Sequence, residues 1–162
     1  MVDDNTREIK VDIEAGLRIN TTSEEVAIHT KATLEQSFKR KFAYAISTRN
    51  FIMLDCDDKT KFDKFLAFCR GLALKECAKC IIYETPNGYH AFLDKFMPRD
   101  RVRRFLIHLR DAIKHGKIDF IDLAHVEASL RRGYITLRLN QIRRVAIINE
   151  LGEVKLLEAM PE

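Results

Sequence analysis

No run of apolar residues in this chain approaches the roughly 20 that a membrane-spanning helix requires. The opening stretch, MVDDNTREIK, has neither the basic start nor the apolar segment of a secretory signal. These two absences lead us to expect a cytoplasmic protein with no membrane partner. Cysteine is scarce as well: four in 162 residues is too few for the disulfide framework of a secreted scaffold, so reduced thiols are expected. Cys77 and Cys80 form one Cys-x-x-Cys with Cys69 as a third thiol, but no second pair follows, and buried thiols fit this pattern better than zinc. Internal repeats, low-complexity tracts and linkers are also missing. A chain of this length, 46% hydrophobic and 32% charged, is therefore read as one compact domain with a real core.

The charge is unevenly distributed. Residues 99–144 carry 12 Lys and Arg against 5 Asp and Glu, a net +7 that leaves −3 for the rest of a +4 chain. Such asymmetry suggests a side that binds polyanions, although ion pairs on solvated helix faces would produce the same count.

Periodicity supplies the elements. Residues 1–21 are polar, and Thr22 stands three residues before Glu25, a capping-box spacing that predicts a helix to about Arg40. FAYAIST (42–48) and NFIMLDCD (50–57) read as strands. Phe62, Phe65, Leu66 and Cys69 then recur at helical spacing. Next come CIIYET and YHAFLD, a hairpin around Pro86-Asn87-Gly88. Pro98 opens a second helix, with a stripe of Val102, Phe105, Leu106, Leu109 and Ile113 that ends before Gly116. Three more strands complete the tail. The expected fold is α+β, a mainly antiparallel sheet with helices on one face, in which residues 1–41 form an arm and helix and residues 42–162 the core domain.

Strand side chains alternate faces, and this alternation locates the chemistry. Ile52, Leu54 and Cys56 share one face while Asp55 and Asp57 take the other. His90, Phe92 and Asp94 oppose Tyr89, Ala91 and Leu93, and Tyr134, Thr136 and Arg138 oppose Ile135 and Leu137. If these strands are neighbours, two aspartates, a histidine and an arginine converge on one open surface. Carboxylates at i and i+2 repel one another unless a cation binds, and oxygen-rich clusters suit Mg²⁺ or Mn²⁺. The competing explanation is that Asp55, Asp57 and Asp58 cap the following helix.

These residues resemble a family. IMLDCDD is similar to the first motif of the archaeo-eukaryotic primase superfamily, the primase-polymerases. TPNGYHAFL resembles the second motif, and IDLAHVEASLRRGYITLRLN the third. The resemblance spans about residues 42–140. It implies a core related to the RNA-recognition motif, in which Asp55, Asp57 and a third aspartate hold Mg²⁺ or Mn²⁺ and His90 contacts the incoming nucleotide. Either Asp119 or Asp122 could be the third aspartate; Asp122 is preferred because IDLAHV leads into the arginine strand. The catalytic set is then Asp55, Asp57, His90 and Asp122, with Arg138 on the triphosphate and Arg131, Arg132, Arg143 and Arg144 on nucleic acid. The implied activity is a DNA primase or related nucleotidyltransferase. It would make or extend primers from nucleoside triphosphates on single-stranded or primer-template nucleic acid, in replication or repair, alone or with other replication subunits.

Two alternatives compete. LDCDDKT also resembles the opening of haloacid-dehalogenase-type phosphatases, which start a parallel sheet at this motif. A non-catalytic nucleic-acid-binding module, or an accessory replication subunit, would use Tyr134, Phe92 and Arg138 for stacking and phosphate contact without metal.

Overall fold

The computed structural model describes residues 26–30, 44–138 and 142–157, with the backbone alone at 26–30, 44–48 and 138. Among the described residues, eight strands form two antiparallel sheets. The smaller has the order β1 (Val26–Thr30), β2 (Tyr44–Thr48), β6 (Ile135–Arg138). The larger runs β3 (Met53–Cys56), β5 (Tyr89–Leu93), β4 (Cys80–Glu84), β7 (Arg143–Ile148), β8 (Val154–Leu156). Every pairing among the described residues is antiparallel, unlike the parallel sheet that the phosphatase reading expects. Three α-helices among the described residues accompany the sheets: α1 (Phe62–Glu76), α2 (Arg99–Lys114) and α3 (Leu123–Arg132). None of the helices among the described residues is long and apolar enough to cross a membrane.

The expected helix from Thr22 is corrected in part. Val26–Thr30 is a strand, paired residue for residue with β2, so the N-terminal segment contributes to a sheet. The sequence VAIHT alternates β-branched residues, a pattern that suits pairing, and this pairing overrides the cap spacing. Residues 1–25 and 31–40, where the rest of that expectation falls, lie outside the described residues.

The larger sheet is apolar on both faces. Leu54, Cys56, Cys80, Ile82, Ala91 and Leu93 are buried on one, and Met53, Ile81, Tyr83 and Phe92 on the other. α1 covers the first face, burying Phe65, Cys69, Leu72 and Ala73 over β4, β5 and β7. Its start is fixed by a 3₁₀ turn, Lys59–Lys61, capped by Asp58, whose carboxylate accepts from the Thr60 amide at 2.9 Å and the Thr60 hydroxyl at 2.6 Å. Its end is closed at Cys77, a non-glycine residue in the left-handed region (φ 53°) whose amide reaches back to the Ala73 and Leu74 carbonyls. α2 buries Val102, Leu106 and Leu109 and makes its main contact with α3 instead of the sheet. Cys56, Cys69 and Cys80 are buried and Cys77 exposed, all of them free thiols.

The β4–β5 hairpin is anchored at its tip. The Thr85 amide donates to the Gly88 carbonyl at 2.9 Å, and the Gly88 amide to the Thr85 hydroxyl at 2.9 Å. Gly88 passes so close to the end of β3 that a Cβ there would collide with the Cys56 carbonyl. The tight turn therefore ends where it does because β3 is packed against its backbone.

Two glycine substitutions are expected to differ in sign. Gly88→Ala forces backbone apart and should cost about 1–3 kcal/mol or more. Gly71→Ala, in the middle of α1 with nothing within 4 Å of the added methyl, should stabilise by about 0.5–1 kcal/mol. Urea unfolding of both variants followed by circular dichroism checks the pair.

Candidate functional site

The site is built on the edge of the larger sheet. Asp55 of β3 lies directly opposite His90 of β5, His90 opposite Tyr83 of β4, and Tyr83 opposite Arg144 of β7. Residues directly opposite in an antiparallel ladder share a face, so these four form one polar row across an otherwise apolar surface. The Asp55 Oδ1 and His90 Nε2 atoms are 3.5 Å apart.

The expected open surface is not what surrounds this pair. The side chains are only 22% exposed at Asp55 and 11% at His90. Their neighbours Met53, Phe92 and Tyr83 are buried on the same face. His90 nevertheless lies on the side of the sheet away from α1, so the first helix does not seal it.

Asp122 reaches the site through the backbone. Its amide donates to the Asp55 carbonyl at 2.9 Å, tying the start of α3 to the edge of β3, which also touches β6. The Asp122 carboxylate caps α3, accepting from the Ala124 amide at 3.0 Å and more loosely from the His125 amide at 3.4 Å. Asp57 follows β3 and is exposed. The electrostatic consequence falls on Asp55. Burial, then the Asp122 charge, then the Asp57 charge raise its carboxyl from 3.8 to about 7.

Of the two candidate aspartates, Asp122 is the one that lies beside Asp55. Asp119 stands apart, paired with Lys61 and Lys64 at 3.2 Å each, and these bonds hold its carboxyl below the usual range. The capping explanation applies to Asp58, and in a different helix to Asp122, but not to Asp55.

The arginines divide. Arg138 ends β6 opposite Ala45 of β2. Arg143 pairs with Glu84, which Lys59 also contacts at 3.2 Å, on the α1 side of the sheet. Its neighbour Arg144 is in the row of Asp55 and His90. Arg131 and Arg132 occupy the far end of α3, where the Arg132 guanidinium lies 5.2 Å from the centre of the Tyr134 ring. The four arginines expected to contact nucleic acid therefore do not form one patch.

Two features escaped the sequence reading. His125 is largely buried, which lowers its pKa, and its Nε2–H donates to the Thr136 carbonyl at 3.0 Å, fastening α3 to β6. Tyr83 joins the polar row through strand register alone, and no local pattern reveals that pairing.

Among the described residues, no group of three or more His, Cys, Asp or Glu side chains stands ready to hold a metal ion. The donors around Asp55 are carboxylate oxygens, the right chemistry for a hard divalent cation, and their mutual repulsion is what such a cation relieves. The Asp57 and Asp122 side chains would have to turn toward Asp55 for all three to share it.

The raised Asp55 pKa gives a pH dependence of known sign. Between about pH 4 and 7 the folded protein keeps the Asp55 proton that the unfolded chain has lost. Stability should therefore fall as pH rises across that window and level off above it, by a few kcal/mol at most. Asp55→Asn should remove this part of the decline and melt higher than the parent at pH 8. Thermal melts in chelator from pH 4 to 8 check both points. Comparisons of the chain with protein-family models, curated proteins and solved structures found no match.

Proposed function

We propose that the protein is a metal-dependent nucleotidyltransferase of the primase-polymerase type, acting on nucleoside triphosphates and a single-stranded or primer-template nucleic acid. The observation that carries this reading is the convergence on one sheet edge of Asp55, Asp57, His90 and Asp122, drawn from three segments whose order in the chain matches the resemblance.

The carboxylates of Asp55, Asp57 and Asp122 would hold Mg²⁺ or Mn²⁺. A bound divalent cation supplies charge neutralisation for the transferring phosphoryl group and its leaving pyrophosphate. The chain's own groups do the rest. His90, with Nε2 against Asp55, is positioned to donate to a triphosphate oxygen once the carboxylates are otherwise engaged. Arg144 in the same row and Arg138 at the end of β6 would add positive charge for the phosphates. The apolar neighbours Met53 and Phe92 limit water around Asp55, which strengthens each of these interactions.

One observation favours a second reading, a non-catalytic nucleic-acid-binding module or accessory replication subunit. Asp122 already has a structural role as the cap of α3.

The two readings separate on Mn²⁺. Under the first, Mn²⁺ should raise the melting temperature of the parent protein at pH 8 and leave Asp55→Ala unmoved. Asp55→Ala should also lose all Mn²⁺-dependent nucleotide incorporation on primed and unprimed templates while staying folded. Nucleotide binding without incorporation by the parent would make it an accessory or inactive relative. Binding of neither metal nor nucleotide would leave the nucleic-acid-binding module.

A further inference from the structure

A second polar feature lies away from the carboxylates. A cleft of about 60 Å³ opens between the first turns of α2 and the turn joining α3 to β6. Arg49, Arg99 and Arg103 border it, with Ser129, Gly133 and Tyr134 on the opposite wall. Among the described residues no acidic side chain lines it, and none of its three arginines makes an ion pair. Three arginines lining one cleft give it a positive charge that an anion would offset.

The backbone adds to this polarity. α2 has 16 residues, and its cap, Pro98, offers no side-chain acceptor. The Arg101 and Val102 amides both turn back to the Pro98 carbonyl, so the Arg99 and Asp100 amides have no partner within the helix. The positive end of the helix therefore meets the cleft on the side that carries Arg99 and Arg103. The α3 end is closed by the Gly133 amide on the Ser129 carbonyl at 2.9 Å, which keeps that carbonyl from facing an anion uncompensated. Asp100 shares the first turn of α2 but does not line the cavity. The space holds only a few waters, the size of a single oxyanion group and too small for a base. At the rim, the Tyr134 ring with Arg132 beside it offers a stacking surface.

From these features we infer that the cleft holds one phosphate group of a nucleic-acid strand, with the adjacent base placed against Tyr134. This rests on the nucleic-acid partner proposed above and adds the place where the strand is gripped. α3 connects the two sites: Asp122 caps one end beside Asp55, and Ser129 and Gly133 border the cleft at the other. Ten helical residues span about 15 Å, roughly four nucleotides of a stacked strand. A strand gripped at the cleft could thus present a position to the carboxylates at a fixed count of residues.

The test is the salt dependence of binding to a labelled single-stranded oligothymidylate, measured by fluorescence anisotropy. Losing one phosphate contact should weaken binding and lower the slope of log affinity against log salt by about 0.7 for the Arg99→Ala/Arg103→Ala variant. The charge-matched control Lys75→Ala/Lys155→Ala should keep the parent slope. Arg99→Lys/Arg103→Lys should restore it, which excludes a folding defect. Tyr134→Ala should weaken binding with the slope unchanged. A preference for 5′-phosphorylated over 5′-hydroxyl oligonucleotide would identify a terminal phosphate, and equal affinity an internal one. If the Arg99/Arg103 variant matches the control, the cleft assignment is overturned and the nucleic-acid reading stands. A parent protein that shows no salt-dependent binding overturns both.

Discussion

A single backbone hydrogen bond, from the Asp122 amide to the Asp55 carbonyl, holds the candidate site together. It spans 67 positions of sequence and joins the edge of the larger sheet to the helix that leads into the smaller one. Because β3 is an edge strand, its outer backbone groups are available, and the segment before α3 uses one of them. The same bond brings a second carboxylate toward a first that is already short of water. Asp55 then carries two burdens, burial and like charge, and among the described residues the histidine across the ladder is its ion-pair partner.

Elsewhere the chain treats buried charge differently. Glu76 is almost fully buried, yet it meets Lys95 at 3.2 Å and Arg101 at 2.6 Å, so its charge is balanced by two cations from outside its own helix. That arrangement closes the end of α1 against the start of α2. Among the described residues, Asp55 has no such pair of cations. A protein able to neutralise one buried acid fully, while leaving another under the influence of two more acids, has an electrostatic asymmetry that folding alone does not require.

Much of this was legible in the sequence, for identifiable reasons. The hairpin was legible because Asn87-Gly88 separates two apolar runs, and α1 and α2 because their apolar residues recur at helical spacing. The pairing of Asp55 with His90 followed from alternation once β3 and β5 proved to be neighbours. Three things were not legible. The strand at Val26–Thr30 was hidden because a local cap spacing says nothing about a partner strand farther along the chain. The burial of the polar face was hidden because alternation tells which residues share a side, not what covers it. The separation of Arg143 from Arg144 was hidden because adjacent residues on a strand point apart, while a count of charge treats them as one cluster. The cleft at Arg49, Arg99 and Arg103 draws on three segments of the chain, the first two 50 residues apart, and leaves no local motif.

α3 also imposes a phase on the molecule. Its first turn is fixed by a cap next to Asp55, and its last by Gly133, whose φ of 88° suits glycine far better than any other residue. Inserting one residue between them would rotate everything beyond it by about 100° and advance it by about 1.5 Å. Val126 and Ser129 would leave the buried side, and His125 and Thr136 could no longer meet. The helix therefore tolerates substitution on its exposed side but not a change in length, and length variation in this region must fall in the loops on either side, where it alters neither the pitch nor the facing of the two ends.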